Sequence, residues 1–191
     1  MEDRRVLYAL RFLGGPRPGE AASARWRDLD RSTRPLWRLT LSTSWNSQSK
    51  SEKTTKTGAE LNIPVHPVLQ RLLDHWAATG WEEFIGRKPD SDDLIVPRHD
   101  GQHRTVWATN ERFQADLKML GIQTQRQYET RATFRNLSLR AGASVFHLNL
   151  YHAPEPEAGV RLLHAPRHAV GGDVWGCTGY RPRGLGTAEI A

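Results

Sequence analysis

Two arginines at predicted helix starts are the side chains best placed to bind a phosphate. Arg17 lies in the stretch GGPRPGE at 14–20, where a proline and a glutamate favour the first turn of a helix. Arg131 stands at the start of a second predicted helix, 130–141. Helix starts present N–H groups at the positive end of the helix dipole, and a guanidinium adds bidentate hydrogen bonds to an oxyanion. Each arginine is a candidate phosphate ligand, although a single arginine in such a place is more often a surface or ion-pair residue.

A lysine-rich segment indicates a second kind of contact with nucleic acid. The run KTTKTG at 53–58 includes Lys56 and belongs to the tip of a predicted hairpin. A lysine on such a tip can reach into a DNA groove, and near a leaving oxygen it can donate a proton. The alternative is a solvated basic loop, which is the more common meaning of such a run. The candidate DNA-contact residues are Lys50, Lys53, Trp45 and Arg135.

The composition favours a globular nucleic-acid-binding protein. The chain has 191 residues, a formal net charge of +6 and a single cysteine, Cys177. A basic balance favours a polyanionic partner, of which nucleic acid is the usual one, although a solvated basic surface kept for solubility would have the same charge. One cysteine cannot form an internal disulfide. No apolar run approaches the roughly 18 residues that a membrane span needs. We therefore expect a cytoplasmic protein, nucleoid-associated when it is bound to DNA, with no membrane partner and no small-molecule substrate.

The elements that must position these residues are mostly helices. Hydrophobic periodicity and breaker residues predict helices over 4–13, 18–26, 67–78, 106–120, 130–141, 144–150 and 155–164. The residues expected to face the core from the later helices include Val68, Trp76, Trp107, Phe113, Leu120, Phe134 and Leu137.

A small sheet and an irregular tail complete the prediction. Alternating residues predict a strand over 36–43 and a returning strand over 61–65, joined by a long polar stretch at 44–60. A further short strand is predicted at 94–97, and residues 165–191 are expected to form an irregular tail rich in Gly, Pro and Arg. The fold class is therefore α+β, mainly helical, with a small antiparallel sheet or hairpin.

In this order the segments resemble the catalytic domain of the tyrosine recombinases, the phage integrase family. That domain begins with a Gly-x-Arg-x-x-Glu turn and helix and continues with a Thr-Lys-Thr-Gly hairpin. A strand with a proline-started helix follows, then a His-x-x-Arg helix with a trailing Thr-Phe, and a later His or Trp. The matching stretches are GPRPGE at 15–20, TKTG at 55–58, IPVHP at 63–67, YETR and TF within 128–134, and His152. The resemblance implies a domain over 1–164.

The resemblance also implies a reaction. A tyrosine would attack one DNA phosphodiester, giving a 3′-phosphotyrosine link and a free 5′-hydroxyl. Arg17 and Arg131 would bind the non-bridging oxygens, Lys56 would protonate the leaving oxygen, and His152 would donate a hydrogen bond to the phosphate. Tyr128, where the family usually has His, would assist proton transfer. No metal and no cofactor are implied, and the implied partners are double-stranded DNA and, as in the family, further copies of the chain in a tetramer.

The chain departs from the family at the nucleophile and at its beginning. The window where the family places its tyrosine, 161–163, holds Arg-Leu-Leu, and the only later tyrosine is Tyr180 in the tail. The sequence begins at the first catalytic helix, so the family's N-terminal core-binding domain is expected to be absent. Two alternatives therefore stand beside an active recombinase: a catalytically inactive DNA-binding remnant, and an unrelated basic helical interaction protein. A zinc site from His164, His168, Cys177 and His152 is disfavoured, because Pro166 interrupts the helical spacing of the first two histidines and there is only one cysteine.

Overall fold

The fold is built mainly from helices. A computed structural model of the chain describes residues 2–54 and 60–151. Its helices are α1 (Glu2–Gly14), α2 (Pro18–Ser23), α3 (Pro67–His75), α4 (Trp81–Ile85), α5 (Val106–Met119), α6 (Glu129–Arg140) and α7 (Val145–Tyr151). Its strands are β1 (Leu29–Asp30), β2 (Arg38–Leu41), β3 (Thr43–Asn46), β4 (Ser51–Thr54) and β5 (Leu61–Pro64). The predicted fold class is confirmed, whereas the predicted helix at 155–164 and the tail lie outside the described residues.

The strands form two small antiparallel sheets instead of one hairpin with a long polar tip. In the first sheet β2 lies between β1 and β5, and in the second β3 pairs with β4. The predicted strand 36–43 therefore breaks after Leu41, and the polar stretch 44–60 contains strands of its own. The turn between β3 and β4 is closed by Asn46, whose Oδ1 accepts from the Gln48 N–H at 2.9 Å. Sequence patterning missed this hairpin because backbone pairing, and not an apolar alternation, holds it.

The core lies between α1, α3 and the three-stranded sheet. Its buried side chains are Val6, Leu7, Leu10, Leu39, Leu41, Ile63, Leu69, Leu73, Trp76, Trp81 and Ile95, with others around them. Trp76 and Trp81 donate their indole N–H groups to the carbonyls of Ile95 and Leu94, at 2.7 and 3.1 Å. The segment 94–97 is buried, but it is not the strand that was predicted there. Indole donors satisfy two of its carbonyls where strand neighbours would otherwise do so.

Helices α5 and α6 bury less of their apolar surface than their patterns predicted. Phe113 and Phe134 are buried, and the Phe113 ring packs 5.2 Å from the Tyr8 ring of α1. Trp107, in contrast, is 71% exposed. Further residues predicted to face the core but exposed are Val68, Leu120 and Leu137. The prediction was wrong for these residues because an apolar period marks a helix face but not how much of it a neighbour covers.

Gly15 controls how closely α1 and α6 approach. It follows α1 with φ +66°, a left-handed conformation that favours glycine, and its N–H donates to the Arg11 carbonyl at 3.1 Å. A Cβ atom at this position would overlap the Phe134 ring of α6. Gly15 is therefore required both for the backbone turn and for the contact between helices.

Gly15→Ala should destabilise the protein more than a substitution that strains only the backbone. Gly86 has φ +91° with open space around its Cβ position, so Gly86→Ala provides the matched control. The left-handed backbone should cost each variant about 1 kcal/mol, and overpacking should cost Gly15→Ala a further 1–3 kcal/mol or so. Urea unfolding measures both losses, and equal losses would contradict the proposed contact with Phe134.

Candidate phosphate-binding site

A buried carboxylate, Glu20, organises the start of α2. Its residue is only 3% exposed. Its Oε2 accepts from the Arg17 backbone N–H at 2.7 Å, and its Oε1 accepts from Arg17 Nη1 at 3.1 Å. The first bond satisfies a backbone donor at the helix start, and the second directs the guanidinium. The side chain of Arg17 keeps 31% of its surface exposed, so the guanidinium is held near the surface.

Arg131 reaches the same carboxylate from α6. Its residue is buried, its Nη1 donates to the Gly15 carbonyl at 2.8 Å, and Nη1 lies 4.0 Å from Glu20 Oε2. The structure thus brings Arg17 and Arg131 together at one carboxylate, although they are far apart in the chain. Among the described residues, these two guanidinium groups and the Glu20 carboxylate together carry a formal charge of +1, which favours binding of an anion.

The start of α2 is held against the second sheet. At Gly19, a Cβ atom would lie 2.6 Å from the carbonyl oxygen of Trp45, so only glycine allows this approach. Ser23 Oγ donates to the Thr43 carbonyl at 2.8 Å. The β3–β4 hairpin, which leads to the lysine-rich segment, is therefore packed directly on the helix that follows Arg17.

A buried cation in α1 positions the start of α6. The Arg11 guanidinium donates through Nη1 and Nη2 to the side-chain and main-chain oxygens of Gln127. Gln127 in turn donates through Nε2 to the Val106 carbonyl at 2.6 Å and through its N–H to Asn110 Oδ1 at 2.8 Å. Burial lowers the pKa of Arg11 to about 10. This network fixes the loop that leads into α6 and so sets the position of Arg131.

Sequence reasoning missed both members of this network. Arg11 gave a signal that was available, because it is a charged residue inside the apolar pattern of the helix predicted over 4–13. Gln127 gave none, because its role depends on where the loop lies in three dimensions.

Trp45 and the β3–β4 hairpin are tied to the loop before α5. The Trp45 ring stacks on the His103 ring with centroids 4.0 Å apart and an interplanar angle of 7°. Glu52 Oε1 pairs with His103 Nε2 at 2.7 Å and with Arg25 Nη2. Burial alone would raise the pKa of Glu52, but its bonds to Arg25 and His103 outweigh burial and lower it. One face of Trp45 is therefore covered by His103.

The other predicted DNA-contact residues lie at or near the surface. Lys50 and Lys53 are exposed, and Lys50 has φ +48° in the turn of the hairpin. Arg135 is half-buried on α6, with Nη2 3.4 Å from Asn149 Oδ1. Exposed lysines on a short hairpin can contact the phosphates of a nearby DNA backbone.

Several predicted site residues lie outside the described part of the chain. Tyr128 is described; it directly precedes α6, is 41% exposed, and its carbonyl accepts from the Arg131 N–H at 3.1 Å. Lys56, His152 and Tyr180 fall outside residues 2–54 and 60–151. The structure therefore places one pair of the predicted set, Arg17 and Arg131, with Tyr128 three residues before the second arginine.

The described residues contain neither a grouped metal-ligand set nor a helix that could span a membrane. Within them, no three His, Cys, Asp or Glu side chains group as a metal site would require. In the same part of the chain no helix has the length and apolar character to cross a bilayer. The histidines and the cysteine of the disfavoured zinc site lie outside it.

Solved structures of site-specific recombinases and integrases share this architecture. The sequence itself matches no family model and no curated protein. A structure of the XerH site-specific recombinase bound to difH substrate superposes with a TM-score of 0.62 at 14% identity over 80% of this chain. The lambda integrase catalytic core superposes with a TM-score of 0.54 at 16% identity over 81% of this chain. The chain has a tyrosine-recombinase-like catalytic fold.

The recombinase-like domain matches only part of the longer neighbouring chains. A Tn1549 transposon integrase in complex with transposon right end DNA matches with a TM-score of 0.64 and 17% identity. The chain spans 40% of the XerH chain and 50% of this integrase chain, but 82% of the lambda catalytic core. The recombinase-like domain thus corresponds in size to the catalytic core and to less than two thirds of the longer chains.

Glu20→Gln should separate the structural role of this carboxylate from its effect on anion binding. The substitution keeps the shape but leaves Arg131 buried without its charged neighbour, so the unfolding free energy should fall by about 3 kcal/mol. The local charge rises from +1 to +2, so sulfate should raise the melting temperature of the variant more than that of the parent.

Glu111→Gln on the exposed face of α5 is the matched control, because it removes a carboxylate that has no described hydrogen bond or ion pair. Its melting temperature should respond to sulfate as the parent's does. An equal response from Glu20→Gln would contradict the assignment of the arginine pair as the anion site.

Proposed function

We propose that this chain binds duplex DNA through the Arg17–Arg131 pair and acts in site-specific DNA recombination or integration. The observation that carries the proposal is the convergence of two guanidinium groups, one from α2 and one from α6, on Glu20. The structural neighbours support a DNA partner. The XerH structure is bound to difH substrate, and a lambda integrase dimer is bound to a COC′ core site.

A phosphodiester fits the charge of this site. It carries one negative charge as a substrate, and a second develops on its oxygens when a nucleophile adds to phosphorus. Two guanidinium groups that share one buried carboxylate can bind the non-bridging oxygens in both states. The positive charge comes from the chain itself, and the proposed reaction uses no metal and no cofactor.

In the proposed reaction a tyrosine oxygen attacks phosphorus in line with the leaving 5′ oxygen. The P–O5′ bond breaks as the tyrosine–phosphorus bond forms, and Lys56 gives a proton to the leaving oxygen. His152 donates a hydrogen bond to the phosphate, and Tyr128, as the general acid/base, passes the hydroxyl proton of the attacking tyrosine to solvent. The products are a 3′-phosphotyrosine and a free 5′-hydroxyl, and attack by another 5′-hydroxyl reverses the steps and rejoins the strand.

The second candidate function is DNA binding without cleavage, and the sequence Arg-Leu-Leu at 161–163, where the family has its tyrosine, supports it. The OH group of Tyr8 donates to Asp116 Oδ2 at 2.7 Å, and burial raises its pKa, so it is a poor nucleophile. Tyr151 is the last residue of α7. Tyr180 is the candidate nucleophile of the active form. In the inactive form the arginine pair would still bind a phosphate.

The proposal includes the organisation of the chain. Residues 1–164 would form the catalytic-type domain and 165–191 a separate tail. On DNA the chain would assemble with further copies of itself, and it would work in the cytoplasm, associated with the nucleoid. The proposal makes no use of a membrane or of a small-molecule substrate.

Two measurements test the proposed function. Fluorescence anisotropy with a duplex of about 30 base pairs should show binding that weakens as salt rises, because bound phosphates release counterions. Arg17→Ala should weaken this binding more than Arg71→Ala, an exposed arginine on α3 that serves as the control. Absence of binding at low salt, or equal effects of the two substitutions, would overturn the proposal.

Trapping on nicked duplexes of random sequence then separates the two candidates. A covalent protein–DNA adduct that Tyr180→Phe abolishes supports the active recombinase. Salt-sensitive binding with no adduct supports the inactive DNA-binding form.

A further inference from the structure

A second basic concavity lies beside the start of α5. Two adjoining cavities of about 440 and 320 Å³ share a wall formed by Arg98, Arg104 and Arg112. The larger cavity is also lined by Arg4 of α1 and by Phe84 of α4. These arginines come from three separate parts of the chain, so the tertiary fold and not one basic run creates the concavity. We refer to the two cavities together as the α5 cleft.

The side chain of Arg104 is held in place at the centre of the α5 cleft. Its Nη2 donates to Asp3 Oδ2 at 2.7 Å and its Nε to the Val96 carbonyl at 3.1 Å. Burial alone would raise the pKa of Asp3, but the hydrogen bond and charge of Arg104 outweigh burial and lower it. Arg98 pairs with Asp100 at 2.8 Å, and both side chains are about half exposed. The contacts of Arg104 fix its guanidinium before any ligand arrives, which reduces the entropy lost on binding.

Arg112 differs from the other arginines of the α5 cleft. It is exposed on α5, and within the described residues it makes no hydrogen bond or ion pair. Four arginines and two aspartates line the larger cavity, and Arg4 also pairs with Asp116 at 2.6 Å, which leaves a formal charge of +1. A guanidinium has five N–H donors, so the four arginines offer more donors than these three carboxylates can accept. An oxyanion satisfies both the excess charge and the excess donors.

Arg104 links the α5 cleft with residues that neighbour the candidate phosphate site in the fold. Arg104 also lines a small cavity that it shares with Arg11, Pro18 and Gln127, the residues around the starts of α2 and α6. Val106 lines this small cavity and also the concavity beside the hairpin that contains Lys53. Val106 and Arg104 therefore connect the concavity that contains Lys53 with the α5 cleft that contains Arg112. A duplex strand carries a phosphate at each nucleotide, about 3.4 Å of helix rise apart, and can contact several such groups at once.

We infer that the α5 cleft binds a second backbone phosphate of the same duplex whose scissile phosphate lies at Arg17 and Arg131. The inference rests on the proposed function, and it adds a contact that fixes the register of the DNA without reading its bases. Inorganic phosphate shares the chemistry of the backbone, so the experiment must distinguish a free ion from DNA.

The test compares the salt dependence of duplex binding in the full chain and in Arg112→Ala, with Arg71→Ala as the control. Loss of one phosphate contact should reduce the slope of log K against log salt by about 0.9, whereas the control should leave the slope unchanged. Arg112 is exposed and has no described partner, so the variant should keep the parent's melting temperature. As the duplex is shortened from one end, the effect of Arg112→Ala should disappear once the DNA no longer reaches the α5 cleft.

Each other outcome contradicts a definite part of the account. No salt-sensitive binding by the parent protein overturns the proposed function and, with it, this inference. Binding with the same slope in the parent and Arg112→Ala overturns this inference alone. So does an equal loss in Arg71→Ala, or an effect that does not depend on duplex length, because either result indicates general charge. The inference would also be overturned if inorganic phosphate bound at Arg112 while Arg112→Ala left the salt slope of duplex binding unchanged. That result would indicate a site for the free ion.

Discussion

The carboxylate of Glu20, shared by the two guanidinium groups of Arg17 and Arg131, is the interaction on which the site depends. Like charges so close together would repel, and one of them is almost fully buried. The Glu20 carboxylate offsets that repulsion, and within the described part of the chain the three groups together keep a formal charge of +1. Removal of this carboxylate would destabilise the buried Arg131.

The surrounding fold holds the side chains of Glu20, Arg17 and Arg131 in their relative positions. Gly15 lets α1 and α6 approach, so that the Gly15 carbonyl accepts from Arg131. Gly19 lets α2 lie directly on the β3–β4 hairpin. Arg11 holds Gln127 and hence the loop that begins α6. Burying Arg11 among amide groups costs stability, which its lowered pKa reflects, and the network that it anchors offsets that cost.

Features of the fold and the site that local motifs mark could be predicted from the sequence. Contacts between residues far apart in the chain could not. The arginine pair was predictable, because local motifs mark both helix starts and their order resembles a known family. The β3–β4 hairpin was not, because no apolar alternation marks it. The exposure of Trp107 was not predictable either, since periodicity marks a helix face and not its neighbour. Arg11 and Gln127 meet only in the folded chain, so no local pattern contains their contact.

The most direct measurement is a crystal structure of the protein grown with sulfate. The account predicts one sulfate whose oxygens accept from the guanidinium groups of both Arg17 and Arg131, at about 2.9 Å each. A sulfate held by only one of them, or guanidinium groups too far apart to share one anion, would contradict it. The recombinase-like fold would then remain without a phosphate site at this pair.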